Sequence, residues 1–125
     1  MSFLFSWNSM DTEQFKSLIA PFFWVNHKDM FSVCLNAGEY KHELFETREE
    51  EGFEGNGYDW CSLVKVFLKE YMPEFKDNIH HDPEADMYCA YSSNADVLKA
   101  FIIKFREICN NEALLYDLFS RAEFK

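Results

Sequence analysis

Apolar residues recur at steps of three and four along two stretches of the chain, a spacing typical of helices that bury one face. The first stretch predicts a helix from Asp59 to Met72. It ends at Pro73, because proline removes a hydrogen bond from a helix interior. Asp59 is the predicted N-cap, and Gly57 permits a tight turn before it. The buried stripe of this helix is expected to contain Trp60, Leu63, Val64, Phe67, Leu68 and Tyr71.

A second long helix is predicted after Ser93 or Asn94, since either side chain suits an N-cap. Its inner face is expected to contain Val97, Leu98, Phe101, Ile102, Phe105, Ile108 and Cys109. Shorter helices are predicted near both ends of the chain. One begins at Asp11 or Thr12 and ends before Pro21. The other follows a break at Asn110-Asn111 and has apolar positions at Ala113, Leu114, Leu118 and Ala122.

Strand patterns occupy the region before the first long helix. The run 22–25 is apolar, residues 26–29 have turn chemistry, and Phe31, Val33 and Leu35 alternate along the next segment. Two strands joined as a hairpin fit this pattern. The segment 40–45 is predicted to add a third strand, and the apolar run 87–91 a short strand in the interior of the sheet.

The order of strands, helix, strand and helices predicts an α+β fold, in one domain that spans residues 1–125. The hairpin makes the sheet partly antiparallel, and the later strand joins it. The two long helices are expected to cover one face. The other face, or an edge of the sheet, is left available to a partner.

The composition indicates a folded and strongly acidic chain. Aromatic residues make up 18% of it, with 14 Phe, whereas disordered chains contain few aromatics. The 22 Asp and Glu exceed the 12 Lys and Arg, for a formal charge of −10, and the excess is densest between Glu43 and Asp59. Such a field repels phosphate backbones and anionic lipids and attracts cationic partners. This field disfavours direct nucleic-acid or membrane binding. The alternative interpretation is that the acidic segment is a solvated loop that maintains solubility.

The cysteines and the absence of targeting segments predict the compartment. Cys34, Cys61, Cys89 and Cys109 lie among apolar residues without a Cys-x-x-Cys pair. No stretch resembles a signal peptide, and none approaches the ~20 apolar residues of a transmembrane helix. We therefore expect a soluble cytoplasmic protein with four buried free thiols rather than two disulfides.

Candidate chemistry centres on His80-His81-Asp82, which is followed by Glu84 and Asp86 and contains residue types that bind zinc or iron. Adjacent histidines rarely converge on one ion, and no His-x-x-x-His or His-Glu-x-x-His spacing is present. The chain also lacks a Gly-x-Ser-x-Gly motif and the Lys-Ser/Thr of a phosphate loop. We predict no catalytic residue, no metal and no cofactor, with a small metal-dependent hydrolase using this turn as an alternative function.

Two segments carry a resemblance to a known family. They are Gly55-Asn56-Gly57-Tyr58-Asp59-Trp60 and, beyond the first long helix, Asp82-Pro83-Glu84-Ala85-Asp86-Met87-Tyr88-Cys89-Ala90-Tyr91-Ser92. The chain resembles the immunity protein 51 family of bacterial polymorphic toxin systems, over roughly residues 20–123. The resemblance implies a small cytoplasmic protein, made beside a toxin, that binds the toxin domain and blocks it without catalysis.

Acidic residues are the leading candidates for the toxin contact. A carboxylate-rich loop can occupy the cationic cleft of a nuclease in place of phosphates, so a basic nuclease is one candidate toxin. The candidate contacts are Glu49, Glu50, Glu51, Glu54, Tyr58, Asp82, Glu84 and Asp86. Structural roles as turn, cap and core residues are predicted for Gly55, Gly57, Asp59, Trp60 and Pro83, with Gly57 in a left-handed turn. A general acidic adaptor without a toxin partner is a further alternative.

Overall fold

The computed structural model describes residues 11–124. Within this range the chain forms five α-helices, four β-strands and two 3-10 turns. In chain order they are α1 (Thr12–Ile19), β1 (Phe23–Asn26), β2 (Phe31–Asn36), α2 (His42–Glu46), the turn Glu49–Glu51, α3 (Gly57–Tyr71), the turn Pro73–Phe75, β3 (His80–His81), β4 (Met87–Ser92), α4 (Ala95–Cys109) and α5 (Glu112–Phe119).

The four strands form one antiparallel sheet in the order β1-β2-β4-β3. The predicted hairpin of β1 and β2 and the later interior strand β4 are confirmed. The register places Phe23 opposite Cys34 and Cys34 opposite Cys89. The two-residue strand β3 forms the edge beyond β4 and was not predicted, because His80 and His81 carry no strand pattern of their own.

The two faces of the sheet have different surroundings. Val33 and Leu35 of β2 and Tyr88 and Ala90 of β4 share one face and are at most 1% exposed. The long helices α3 and α4 pack on this face, α3 against β4 and α4 against both β2 and β4. The predicted covering of one sheet face by two main helices is therefore confirmed.

The core between sheet and helices is dominated by aromatic rings. Trp60 of α3 is fully buried and stacks on Tyr40, with ring centroids 5.7 Å apart. Phe45 and Phe105 meet the same indole edge-on at 5.2 and 6.2 Å. Because edge-to-face and offset contacts suit the quadrupoles of aromatic rings, this cluster fixes α3 relative to its neighbours.

Asn and Asp side chains cap four of the five described helices. The Asp11 carboxylate accepts a hydrogen bond from the Gln14 N–H, and the Gln14 Oε1 atom accepts one from the Asp11 N–H. Asn94 and Asn111 cap α4 and α5 through the N–H groups of Val97 and Leu114. These contacts satisfy backbone donors that have no partner inside the helix.

The strand predicted for residues 40–45 is wrong. His42–Glu46 forms the short helix α2, in which the adjacent side chains of Leu44 and Phe45 are both buried. Neighbouring side chains of a strand point to opposite faces, whereas a helix with several core neighbours can bury both. Phe45 reaches Trp60 and Phe119 in this way.

The thiols are free, as predicted, but they are not all buried. Cys34, Cys61 and Cys109 are buried and Cys89 is half-buried. Burial raises the pKa of Cys34 and of Cys109 to about 12, so both are neutral at physiological pH. None of the helices between residues 11 and 124 combines the length and apolar character that crossing a membrane requires.

Candidate functional site

The two segments that carry the family resemblance lie against each other at the start of α3. The Gly57 N–H donates a hydrogen bond to the Ala85 carbonyl oxygen at 3.2 Å. Ala85 is in the tight turn between β3 and β4, where Glu84 pairs with Met87. The start of the central helix therefore rests on this turn.

Gly57 is required by that close approach. A Cβ atom at Gly57 would lie 1.9 Å from the Glu84 carbonyl oxygen and 2.1 Å from the Met87 carbonyl oxygen. The predicted left-handed turn at Gly57 is wrong, since positive φ occurs instead at Gly52, 109°, and Gly55, 83°. No side chain larger than hydrogen fits at Gly57 unless helix and turn separate.

Asp59 holds the loop before α3 in place. Its Oδ2 atom accepts hydrogen bonds from the backbone N–H groups of Glu54 at 2.7 Å and Gly55 at 2.9 Å. Asp59 was predicted to be the N-cap, but Asn56 is the cap and accepts from the Asp59 N–H at 2.9 Å. Asp59 is only 3% exposed, so its carboxylate ties the loop to the helix rather than facing a partner.

Three carboxylates of the turn between β3 and β4 face solvent. We call Asp82, Glu84 and Asp86 the acidic hairpin. Asp82 donates its N–H to the Cys89 carbonyl oxygen at 2.8 Å, which places Asp82 opposite Cys89, as Glu84 is opposite Met87. Opposite residues of an antiparallel pair project from the same face. Within residues 11–124, no ion pair involves these three carboxylates.

Pro83 lies between two members of the acidic hairpin and is half-buried. Proline is tolerated at the edge of a sheet, where its missing N–H breaks no ladder hydrogen bond. The structure therefore places Pro83 at an edge, next to β3.

Glu54 and Tyr58 lie near the acidic hairpin through their neighbours in the chain. Glu54 directly precedes Gly55 and accepts a hydrogen bond from the Asn56 side chain at 3.0 Å. Tyr58 follows Gly57, the residue in contact with the hairpin turn, and is 51% exposed. The fold thus brings these two candidate residues to the same end of α3 as the hairpin carboxylates.

The Glu-rich 3-10 turn has a different role from the one its composition predicts. Arg48 donates two hydrogen bonds to the Glu51 carboxylate, at 2.7 and 2.6 Å, and this contact lowers the pKa of Glu51. The same guanidinium donates to the carbonyl oxygens of Phe119, at 2.6 Å, and Ala122, at 2.7 Å. Glu51 is therefore part of a clamp on the end of α5, whereas Glu49 and Glu50 are exposed and form no ion pair within residues 11–124.

The second face of the sheet carries apolar side chains on three strands, which no charged motif indicates, and Ser32 and Asn36 lie among them. We call Phe23, Val25, Cys34, Met87, Cys89 and Tyr91 the open face, because the register places them opposite the core face. The described helices pack on the core face or on one another. The run 87–91 indicates this face in the sequence. The side chains on both sides of that strand are apolar, whereas a strand with one solvated face normally has polar side chains on that face.

The two histidines of the suspected metal turn do not converge. His80 and His81 are consecutive in β3 and project from opposite faces of the sheet. His81 Nδ1 lies 2.6 Å from the Tyr88 hydroxyl on the core side, and burial lowers the pKa of His81 to about 4. His80 packs beside the Tyr91 ring on the other side. No cluster of three metal-ligating side chains occurs in the described part of the chain.

Comparison with known families identifies the chain. The family model for Immunity protein 51 matches residues 22–124. This chain belongs to the immunity protein 51 family. The resemblance seen in the two short segments is therefore confirmed over nearly the full described range. Searches of curated proteins and of solved structures found no match.

The matched region of this immunity protein 51 family member includes the four strands, both long helices and α5, and α1 lies before it. The contact at Gly57 joins the two segments that first indicated the family. They are remote in sequence but form one unit, so their residue types serve the packing of α3 on the β3-β4 turn.

Proposed function

We propose that this protein binds a toxin domain and neutralises it in the cytoplasm as a stoichiometric inhibitor, without catalysing a reaction. Membership of the immunity protein 51 family is the observation that carries the proposal. The distribution of charge supports it, because a surface with a formal charge of −10 and unpaired carboxylates favours a cationic protein partner.

Exposed carboxylates at the start of α3 and beside it form the acidic part of the proposed contact. The candidates are Glu49, Glu50, Glu54, Asp82, Glu84 and Asp86, with Tyr58 as an aromatic contact. Glu51 has a lower rank, since Arg48 already occupies its carboxylate. Unpaired carboxylates accelerate association with a basic surface and stabilise the complex after docking.

A nuclease is the toxin class that this charge favours. Enzymes that cut nucleic acid concentrate positive charge in the cleft that holds the phosphates. A hairpin with three exposed carboxylates is opposite in charge to such a cleft. An inhibitor of this kind needs no active site of its own.

Co-expression tests the proposal. The toxin domain encoded beside this protein is produced with and without it, and growth, copurification and toxin activity are measured. We expect growth rescue and a one-to-one complex, whereas an unrelated immunity protein gives neither. Continued toxicity at matched expression, with no complex, would refute the proposed function.

The two alternatives are less well supported. A hydrolase using His80, His81 and Asp82 requires side chains that face one site, and the two imidazoles lie on opposite faces of the sheet. A general adaptor would share the acidic surface but would not protect cells from a toxin. The same growth assay therefore separates the adaptor from the inhibitor.

A further inference from the structure

The open face presents apolar side chains in a defined arrangement across three strands, interrupted by Ser32 and Asn36 of β2. Phe23 lies opposite Cys34, and Cys34 lies opposite Cys89, so these side chains form a row across β1, β2 and β4. Phe23 is 38% exposed at one end of the row. A flanking row contains Val25, Ser32 and Tyr91.

Carboxylates extend the same face at its other edge. Asp82 continues the row beyond Cys89, and Glu84 lies beside Met87. Burial raises the pKa of the Cys89 thiol, and the negative charges of Asp82 and Glu84 raise it further, as expected for groups on one surface. The face therefore changes from apolar at β1 to anionic at β3.

We infer that the open face, together with Asp82 and Glu84, is the surface that docks the toxin domain, through a segment with an apolar side chain flanked by lysine or arginine. This inference rests on the proposed function. The apolar side chain would contact Phe23 and Cys89, with Cys34 buried between them, and the cation would lie over the two carboxylates. Buried apolar anchors supply most of the binding energy of protein interfaces, and rim charges mainly set the association rate.

Charge favours a basic partner over a second copy of this chain. Each copy carries a formal charge of −10, so two open faces would bring like-charged surfaces together. Asp82 and Glu84 have no cationic partner within residues 11–124. A cationic toxin segment supplies the charge that this surface lacks.

Matched variants test the apolar part. Phe23→Ser and Tyr91→Ser alter the open face, and Leu114→Ser and Tyr116→Ser alter α5 residues that are 39% and 37% exposed. Binding to the toxin domain is measured by biolayer interferometry, after circular dichroism has shown that each variant is folded. We expect the open-face variants to raise Kd at least about tenfold, mainly through faster dissociation, and the α5 variants to stay within about twofold.

A charge-matched pair tests the acidic part. The double variant Asp82→Lys with Glu84→Lys is compared with Glu39→Lys with Glu43→Lys, whose residues are exposed and are not candidate contacts. Both change the net charge equally but in different places. We expect the first pair to slow association about tenfold at low salt and the second pair to slow it by less than about threefold. A larger effect of the Glu39 and Glu43 pair would overturn the inference.

The unaltered protein provides a measurement that does not depend on variant folding. Cys89 is half-buried on the open face, while the other three thiols are buried. Saturation with toxin is expected to slow the alkylation of Cys89 by N-ethylmaleimide at least about tenfold, as mass spectrometry of the peptides can show, because docking would cover the sulfur atom. Unchanged alkylation in the complex would exclude this face.

The possible failures are distinguishable. If the unaltered protein neither binds nor neutralises the toxin domain, the proposed function fails. If it neutralises the toxin while folded open-face variants bind normally, only the inference about the surface fails. The inference about the surface also fails if the protein dimerises through the open face and the Tyr91→Ser variant keeps its affinity for the toxin.

Discussion

Replacing Gly57 by alanine is expected to destabilise the protein, although alanine is normally the better helix former. Gly57 is the first residue of α3 and lies outside the left-handed region of φ. Helix propensity alone predicts a gain of up to about 1 kcal/mol from this change. The contact with the β3-β4 turn predicts a loss of stability instead.

The magnitude follows from the two carbonyl oxygens that face Gly57. The added Cβ would lie 1.9 Å from the oxygen of Glu84, and ordinary contact begins at 3.4 Å, so helix and turn have to separate by about 1.5 Å. Both obstacles are backbone atoms, which no rotamer change can remove. Overpacking costs about 1–3 kcal/mol, and loss of the hydrogen bond to Ala85 adds about 1 kcal/mol. After the propensity gain is subtracted, we expect a loss of about 1–3 kcal/mol.

Urea denaturation followed by circular dichroism measures this loss, with Tyr58→Ala as the control. Tyr58 is the next residue of the helix and is 51% exposed, so its replacement should change the free energy of unfolding by less than about 0.5 kcal/mol. A Gly57→Ala protein as stable as the unaltered one, or more stable, would refute the close approach of α3 and the β3-β4 turn.

Three further predictions concern the core, the clamp and the buried histidine. Trp60→Ala should cost about 3–5 kcal/mol in urea denaturation because the indole is fully buried. Trp60→Phe should cost less, since within the described residues the indole N–H has no hydrogen-bond partner to lose. Arg48→Met should cost about 2–3 kcal/mol in the same assay by removing charged hydrogen bonds to Phe119 and Ala122. The pKa of His81 is lowered from 6.5 to about 4, so the unfolded chain takes up the proton first as pH falls. Unfolding free energy should therefore drop by about 2 kcal/mol between pH 7 and pH 5, and this component should be absent in His81→Gln.

Each of these predictions has a contrary outcome. A Trp60→Phe variant as unstable as Trp60→Ala would mean that the indole N–H is essential. An Arg48→Met variant with unchanged stability would remove the clamp on α5. Equal pH dependence in His81→Gln and the unaltered protein would show that His81 is accessible to protons in the folded state.

Most helices and the hairpin were predictable because their signals are local. The buried stripe from Trp60 to Leu68 repeats with the helical period, although Tyr71, predicted to belong to it, is exposed. Asn94 and Asn111 cap through side chains that reach only three residues ahead. The segment 40–45 was assigned wrongly because a short apolar run fits a strand as well as a helix. Only the neighbouring core residues determine that Leu44 and Phe45 are both buried.

The candidate site was harder to predict than the fold. Composition ranked the Glu-rich turn highest, yet Arg48 engages Glu51 and the backbone at the end of α5 in one clamp. The partner atoms belong to Phe119 and Ala122, which are far from Arg48 in sequence. No local sequence pattern reveals a contact between residues that are so far apart along the chain.

The sequence by itself determined the acidic charge, the helical stripes, the hairpin and, through two short segments, the family. These properties depend on composition and on interactions between near neighbours. Only the tertiary structure decided that the segments meet at Gly57, that His80 and His81 face opposite sides, and that an apolar sheet face adjoins Asp82 and Glu84. The physical reason is that sheet register and helix packing bring together atoms that are distant along the chain, and these approaches define a surface.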